Sequence, residues 1–177
     1  MFVSGVYFTM IGLNLLNQYE AALSTLNYCI INCPDGEWDQ KHEDAPFCQV
    51  VFHALFYVDF YLENEEDTFK EQEFHKNNTN LFRDYEELEY QKAQNLYSKN
   101  ECNLYLRFIL EKCKEKLLNV QDDKLLEKPL IRPSISNRLE LHIYSIRHIQ
   151  HHAAQLGFRL QLINNKEMIW YSSGWKE

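Results

Sequence analysis

Four long segments of the chain carry apolar residues at the three-to-four-residue spacing of a helix that buries one face. The first runs from about Gly12 to Asn32 and stops before the breaker Cys33-Pro34-Asp35-Gly36. Its apolar stripe consists of Leu15, Leu16, Tyr19, Ala22, Leu23, Leu26 and Ile30. The second runs from Ala45 or Pro46 to Leu62 and is apolar or aromatic on nearly every face, which predicts the most buried helix of the fold.

The third segment begins near Ser98, where Ser98-Lys99-Asn100-Glu101 matches a capping box that satisfies free N–H groups at a helix start. Its expected core stripe consists of Leu104, Phe108, Leu110, Cys113 and Leu117. The fourth segment runs from near Ser136 to about Asn164 and is long enough to cross the whole domain. These four segments predict an all-α fold, an up-and-down style four-helix bundle with a long crossover between the second and third helices.

The links between the predicted helices are polar, and the link after the second helix is the longest. Its acidic stretch from Glu63 to Asn80 has two readings: a solvated crossover, which is the commoner case, or a lid over the mouth of a pocket. A short helix is expected within Asp84 to Asn95. The stretch from Gln121 to Pro133 holds two of the four prolines and is expected to be irregular.

Composition and charge narrow the class of protein. The 177 residues are expected to form a single domain, and the scarcity of glycine (5) and proline (4) favours helices over a turn-rich β fold. The net charge of −8 argues against nucleic-acid binding, which normally needs a basic patch. The apolar stretch from Met1 to Leu16 lacks the basic region of a signal peptide and is too short for a membrane span. Residues 1–11 are either the lead into the first helix or an extension before a start at Met10.

The five cysteines form no C-x-x-C pair, which fits a reducing cytoplasm better than secretion. Cys29 and Cys33 lie four residues apart on the first predicted helix, so they could share a metal ion, but buried small side chains are the commoner case. We therefore expect a cytoplasmic protein whose partner is a small-molecule substrate, with no nucleic acid and no membrane.

The fourth helix carries the most informative polar pattern. His148 and His152 are four residues apart, a spacing that puts two imidazoles on one face within reach of one metal ion. Projected at about 100° per residue, they share a narrow sector with Arg159 at the border of the apolar stripe. His151 points further toward solvent, and His142 falls on the apolar side. Such a pair alone is weak, because many helix surfaces carry one by chance.

A third histidine, His53, lies in the apolar second helix, where its ring nitrogens need partners. Taken singly, a hydrogen-bonded core histidine is the commoner case. On a bundle, however, His53, His148 and His152 together would make a three-nitrogen metal site with a position left for water or substrate. The pattern is neither the H-E-x-x-H of zinc proteases nor the Glu-x-x-His of di-iron bundles.

These residues resemble the DinB/YfiT-like family of metal-binding four-helix bundles. The resemblance rests on Phe52-His53-Ala54-Leu55, on His148-x-x-x-His152-x-x-Gln155-Leu156, on the Pro46-Phe47 start of the second helix and on the Trp170 to Trp175 tail. It covers roughly residues 13–175. The chain has Ala153-Ala154 where the family often has Arg-Gly between its last ligand histidine and the glutamine.

The resemblance implies that His53, His148 and His152 bind a divalent ion, zinc or nickel before iron or manganese, and that a low-molecular-weight thiol is the cosubstrate of a transferase. It also implies a homodimer. Tyr57, Gln155 and Arg159 are candidates for supporting the ligands or lining the substrate pocket. The alternative for Tyr57 is core packing. The alternative for Gln155 is an ordinary helix contact, and for Arg159 a surface position. Trp38 and Trp175 are pocket candidates for which packing is the commoner role.

Two functions follow. The first is a metal-dependent enzyme, a thiol S-transferase in which the three-histidine site activates a thiol or water. The second is a non-catalytic helical bundle that binds a metal or ligand, with an unknown or stress-related role.

Overall fold

The computed structural model describes residues 10–41, 45–89 and 95–177, and every regular element in these ranges is helical. This confirms the all-α prediction. In chain order the elements are α1 (Met10–Asn32), α2 (Asp35–Trp38), α3 (Phe47–Leu62), α4 (Glu66–Lys70), α5 (Glu73–Asn77), α6 (Thr79–Phe82), a 3₁₀ segment (Arg83–Glu89), α7 (Lys99–Leu118), α8 (Asp122–Leu126) and α9 (Arg138–Asn164). The long helices α1, α3, α7 and α9 correspond to the four predicted segments.

Contacts along α9 give the directions of two of its neighbours. Tyr19 of α1 hydrogen-bonds to His142 of α9. Later in both helices, Cys29 donates to the carbonyl of Ala153, so α1 and α9 run parallel. The order is opposite along α3, whose first residue, Phe47, packs under the guanidinium of Arg159. Since the end of α3 contacts the start of α9 through other rings, α3 and α9 run antiparallel.

The consecutive long helices α3 and α7 run in the same direction. Phe52 of α3 packs on Tyr105 of α7. Later in both helices, Asp59 of α3 accepts a hydrogen bond from Lys112 of α7, so the two helices run in the same direction. Two consecutive parallel helices require a connection that returns over their length, because only antiparallel neighbours can be joined by a short loop. Residues 63–89, called the connector below, make most of this return and carry α4, α5, α6 and the 3₁₀ segment.

One hydrophobic core joins the four long helices, since α1 and α3 each pack against both α7 and α9. Tyr19, Phe52, Tyr105 and Leu156 represent the four helices in it and are almost wholly buried. In α3, 12 of the 16 residues are buried, against 13 of 23 in α1. The prediction that the second segment forms the most buried long helix is therefore confirmed.

The helix starts follow their sequence signals closely. Ser98 Oγ accepts the backbone N–H of Glu101 at 3.2 Å, and the Glu101 carboxylate accepts the N–H of Ser98 at 2.8 Å, which is the predicted capping box. The start of α9 lies two residues later than predicted. Asn137 caps it by accepting the N–H of Glu140 at 2.9 Å, a role typical of asparagine.

The core stripe of α7 differs from the prediction. Leu104 is 47% exposed and Phe108 only half-buried, whereas Cys102, Tyr105 and Ile109 are fully buried. The other three residues of the predicted stripe, Leu110, Cys113 and Leu117, are buried as expected. Lys112 is also buried, among partners of opposite charge.

The links predicted to be irregular contain short helices. The connector holds α4, α5 and α6, and the 121–133 stretch holds α8. Helices this short are not stable by themselves, and buried Phe69, Phe82 and Leu125 anchor them to the core. The short helix expected after residue 84 is the 3₁₀ segment. The rest of that prediction, residues 90–94, lies outside the described residues. So do residues 1–9, which the prediction of a start at Met10 concerns.

The cysteines and the helix lengths bear on two further features of the fold. All five cysteines are buried and free of disulfides, as expected for small core side chains. Within the described ranges, no helix has both the length and the apolar character needed to cross a membrane.

Candidate metal centre

Three histidines from two helices converge at one point. α3 supplies His53, and one face of α9 supplies His148 and His152, because residues four apart lie one above the other. One ring nitrogen of each lies within 4.8 Å of the other two. Among the residues that the structure describes, this is the only such group of three possible metal ligands. The structure thus brings together all three residues that the sequence singled out.

Two of the imidazoles are held in a defined orientation. His53 Nδ1 donates to the Glu87 carboxylate at 2.8 Å, and His152 Nδ1 donates to the Gln155 side-chain oxygen at 2.8 Å. A neutral imidazole with its proton on Nδ1 carries its lone pair on Nε2. His53 and His152 therefore present Nε2 to the cluster, as metal-ligating histidines do.

His148 and His152 are neutral at physiological pH. Burial, together with the neighbouring His152 and His53, lowers the pKa of His148 to about 3. Burial likewise lowers the pKa of His152 to about 4, with His53 adding to the effect. Because a metal ion binds the neutral imidazole, these two side chains need lose no proton to solvent before binding.

The donor set fits a divalent transition metal. Three neutral imidazoles suit zinc, nickel or iron better than magnesium or calcium. Tetrahedral zinc with Zn–N of about 2.0–2.1 Å would place its ligand nitrogens about 3.3 Å apart. The 3.1 Å between His148 Nε2 and His152 Nε2 is close to that spacing. One feature departs from the usual pattern: His148 Nδ1 is buried and has no hydrogen-bond partner within the described ranges.

Two of the three predicted supporting residues lie at the cluster. The Tyr57 ring packs on His53 and His148, with centroids 4.8 and 5.4 Å apart. Its hydroxyl donates to the backbone carbonyl of Glu87 at 2.9 Å. Gln155 makes the bond to His152 described above. Tyr57 and Gln155 therefore both contact the imidazoles of the cluster. Their role in substrate binding stays a prediction.

Arg159 lies away from the three imidazoles, although it shares their sector of α9. It is seven residues past His152, a rise of about 10 Å along the helix. Its guanidinium donates to the carbonyl of Ala45 at 2.9 Å and stacks over Phe47. The structure therefore places it at the start of α3, and its proposed contact with substrate stays a prediction.

The remaining sequence candidates contact other parts of the molecule. His151 is exposed, and its ring touches His152 from outside. His142 is buried against the hydroxyl of Tyr19, more than a helical turn before the cluster. Trp38 lines a cavity of about 410 Å³ at the start of α7, and Trp175 packs on the core.

Glu87 is the residue at the centre that the sequence analysis missed. The need for a partner of His53 was recognised from its apolar helix, but nothing in the sequence pointed to this position. Glu87 lies 34 residues away in an acidic stretch where many carboxylates look alike. The path of the connector places Glu87, and not a neighbouring carboxylate, beside His53.

A second polar cluster, also missed, lies inside the helices near α5. Asp59 accepts hydrogen bonds from His75 at 2.8 Å and Tyr105 at 2.7 Å, and it pairs with Lys112. Lys112 also pairs with Glu63 at 2.6 Å. Burial alone would raise the pKa of Asp59, but the hydrogen bond from His75 and the charge of Lys112 outweigh it, so that pKa lies below its usual value. The signal in the sequence was a lone acid in an otherwise apolar helix.

No protein-family model matches the chain, and comparison with curated proteins and with solved structures likewise finds no match.

Proposed function

We propose that His53, His148 and His152 bind one divalent metal ion and that the chain is a metal-dependent enzyme of the DinB-like type, a thiol S-transferase. The observation that carries the proposal is the convergence of three imidazole nitrogens within 4.8 Å on two antiparallel helices. Zinc or nickel fits this donor set best, with iron or manganese as the alternatives. A small-molecule electrophile and a low-molecular-weight thiol are the proposed substrates.

The chemistry follows from the number of ligands. Three protein ligands leave at least one coordination position open. When bound, the ion would lower the pKa of a thiol or water at that position, and the thiolate rather than the thiol is the nucleophile. His53, His148 and His152 hold the ion in this scheme. Gln155 orients His152, and the Tyr57 ring closes one side of the centre.

The arrangement of the long helices supports the same family. We interpret α1, α3, α7 and α9 as a four-helix bundle with one long crossover between α3 and α7. In such bundles, facing helices contribute metal ligands to the interior. α3 and α9 are facing helices here, and they are the two that carry the histidines. A homodimer belongs to this proposal through the resemblance, and a cytoplasmic location belongs to it through the cysteine pattern.

Metal content tests the proposal. Protein purified without a histidine tag, reloaded with zinc or nickel and desalted is expected to retain about one ion per chain by elemental analysis. His148→Ala should lose most of it, because two imidazoles bind far more weakly than three. His151→Ala is the matched control, since this exposed neighbour should retain the metal. Only trace metal in the reloaded wild type would refute the site.

Turnover separates the two functional classes. Metal-loaded protein is offered low-molecular-weight thiols with a panel of electrophiles, and His148→Ala serves as the inactive reference. Thiol consumption that depends on the metal supports the transferase. Stoichiometric metal without turnover across the panel would favour the non-catalytic bundle.

A further inference from the structure

The connector reaches the three-histidine centre through one residue. We propose that Glu87, in the 3₁₀ segment, is a positioning residue that fixes the tautomer and orientation of His53 so that His53 Nε2 faces the shared metal position. This inference rests on the proposed function, because it assigns a role within that centre. It also gives the connector a part in the site beyond returning the chain from α3 to α7.

The hydrogen bond itself defines the tautomer. Glu87 Oε2 lies 2.8 Å from His53 Nδ1, and the side chain of Glu87 is only 11% exposed. A carboxylate is an acceptor, so the proton of the neutral imidazole must sit on Nδ1. The lone pair then lies on Nε2. Without this acceptor, the ring is free to carry the proton on either nitrogen and to rotate about its Cβ–Cγ bond.

Glu87 is held from two sides by the same turn of α3. His53 bonds its carboxylate, and Tyr57, one helical turn later, donates to its backbone carbonyl at 2.9 Å. The Tyr57 ring also packs against the His53 ring, with centroids 4.8 Å apart. The backbone and the side chain of Glu87 are therefore fixed together, which a chance surface contact would not require.

The segment before Glu87 is tied to the interior. Tyr85 has a positive φ of 57°, a backbone conformation that a residue with a Cβ adopts only where its surroundings impose it. Its hydroxyl donates to the carbonyl of Lys70 at 3.2 Å and lies 3.2 Å from His75 Nδ1. His75 in turn donates to fully buried Asp59 at 2.8 Å. The second polar cluster thus anchors the connector two residues before Glu87.

These contacts form one continuous path of hydrogen bonds and covalent chain. It runs from Asp59 inside α3, through His75 and Tyr85, to Glu87 and back to His53 on the same helix. At the interior end of this path, Asp59 and His75 are buried and hydrogen-bonded to each other, so they give the connector a rigid support. Metal-ligating histidines characteristically donate their second N–H to a carboxylate of this kind, and its loss typically costs 10–100-fold in metal affinity.

Zinc affinity of designed variants tests the role of Glu87. Zinc is titrated against a chromogenic chelator with wild type, Glu87→Gln, Glu87→Ala and Glu73→Gln, the last being an exposed glutamate of the same connector. We expect about a 10–100-fold weaker affinity in Glu87→Ala. A smaller loss is expected in Glu87→Gln, whose amide oxygen still accepts a hydrogen bond. Glu73→Gln should match wild type.

The protonation of His53 gives a readout that a merely structural role would not move. Nitrogen NMR of the metal-free wild type should show His53 protonated on Nδ1, and Glu87→Ala should show a mixture of tautomers. Equal zinc affinity in wild type and Glu87→Ala, or an Nε2-protonated His53 in wild type, would overturn the inference alone. A wild type that takes up no zinc or nickel would instead overturn the proposed function and this inference with it.

Discussion

Burial decides the charge of single histidines in this protein, and His142 is the clearest case outside the metal centre. It is 3% exposed, and its Nδ1 lies 3.1 Å from the hydroxyl of Tyr19. Burial lowers its pKa to about 4, and the charge of Arg138 acts in the same direction. An imidazolium would lose its hydration there without gaining a counter-charge, so the folded state keeps the ring neutral.

This depressed pKa makes stability depend on pH. In the unfolded chain the pKa of His142 is about 6.5, so between pH 6.5 and 4 the unfolded state binds the extra proton. The free energy of unfolding therefore falls as the pH drops through this window. From pH 7.5 to 5, His142 should account for a loss of about 2 kcal/mol.

Urea unfolding of wild type and His142→Gln at both pH values, with chelator present, measures this contribution. Glutamine keeps a hydrogen-bonding group near Tyr19 but does not titrate. The variant should lose about 2 kcal/mol less than wild type over the same pH drop. Identical pH dependence in the two proteins would show that His142 is not held neutral by the fold.

At the residue scale, helix geometry explains what could be predicted from the sequence. His148 and His152 were paired correctly because the relation between residues four apart is local. His53 joined them because an imidazole in an apolar helix demands partners. Glu87 could not be predicted, since its contact with His53 depends on the whole path of the connector.

Among the elements, α3 and α7 are joined by a buried ionic cluster rather than by apolar packing alone. Lys112 is 4% exposed and is paired with both Asp59 and Glu63. Withdrawing these charges from water is costly, and mutual pairing with added hydrogen bonds offsets the cost. The cluster also holds α5 through His75, so it fixes the register between two parallel helices and the connector.

Removing the central cation should therefore destabilise the fold strongly. Lys112→Met keeps the apolar stem but removes the only lysine paired with buried Asp59 among the described residues, and the expected loss is about 3–5 kcal/mol of unfolding free energy. Lys114→Met, which removes an exposed pair with Glu111 on the same helix, should cost less than about 1 kcal/mol. Urea denaturation of both variants at pH 7 makes the comparison. Equal small losses would mean that the buried cluster contributes nothing specific.

Local sequence patterns explain which elements could be predicted, and tertiary contacts explain which could not. The long helices and the Ser98 capping box follow from local patterns, and they were located to within about two residues. Leu104 was wrongly placed in the core stripe of α7, because the sequence alone does not distinguish an exposed leucine from a buried one. The short helices of the connector were missed because tertiary contacts, rather than their own propensity, stabilise them.

For the whole molecule, the helix directions explain why the connector is long and why it reaches the centre. α3 and α7 run parallel, so the chain must pass back along the molecule between them. This return brings the 3₁₀ segment beside the N-terminal half of α3, where His53 lies.

We propose that one metal ion binds among His53, His148 and His152. Crystals of the zinc-loaded protein, measured on both sides of the zinc absorption edge, test it most directly. We expect an anomalous-difference peak bonded to the Nε2 atoms of all three histidines at about 2.0–2.1 Å. Absence of a peak there, or a peak held by other residues, would contradict it.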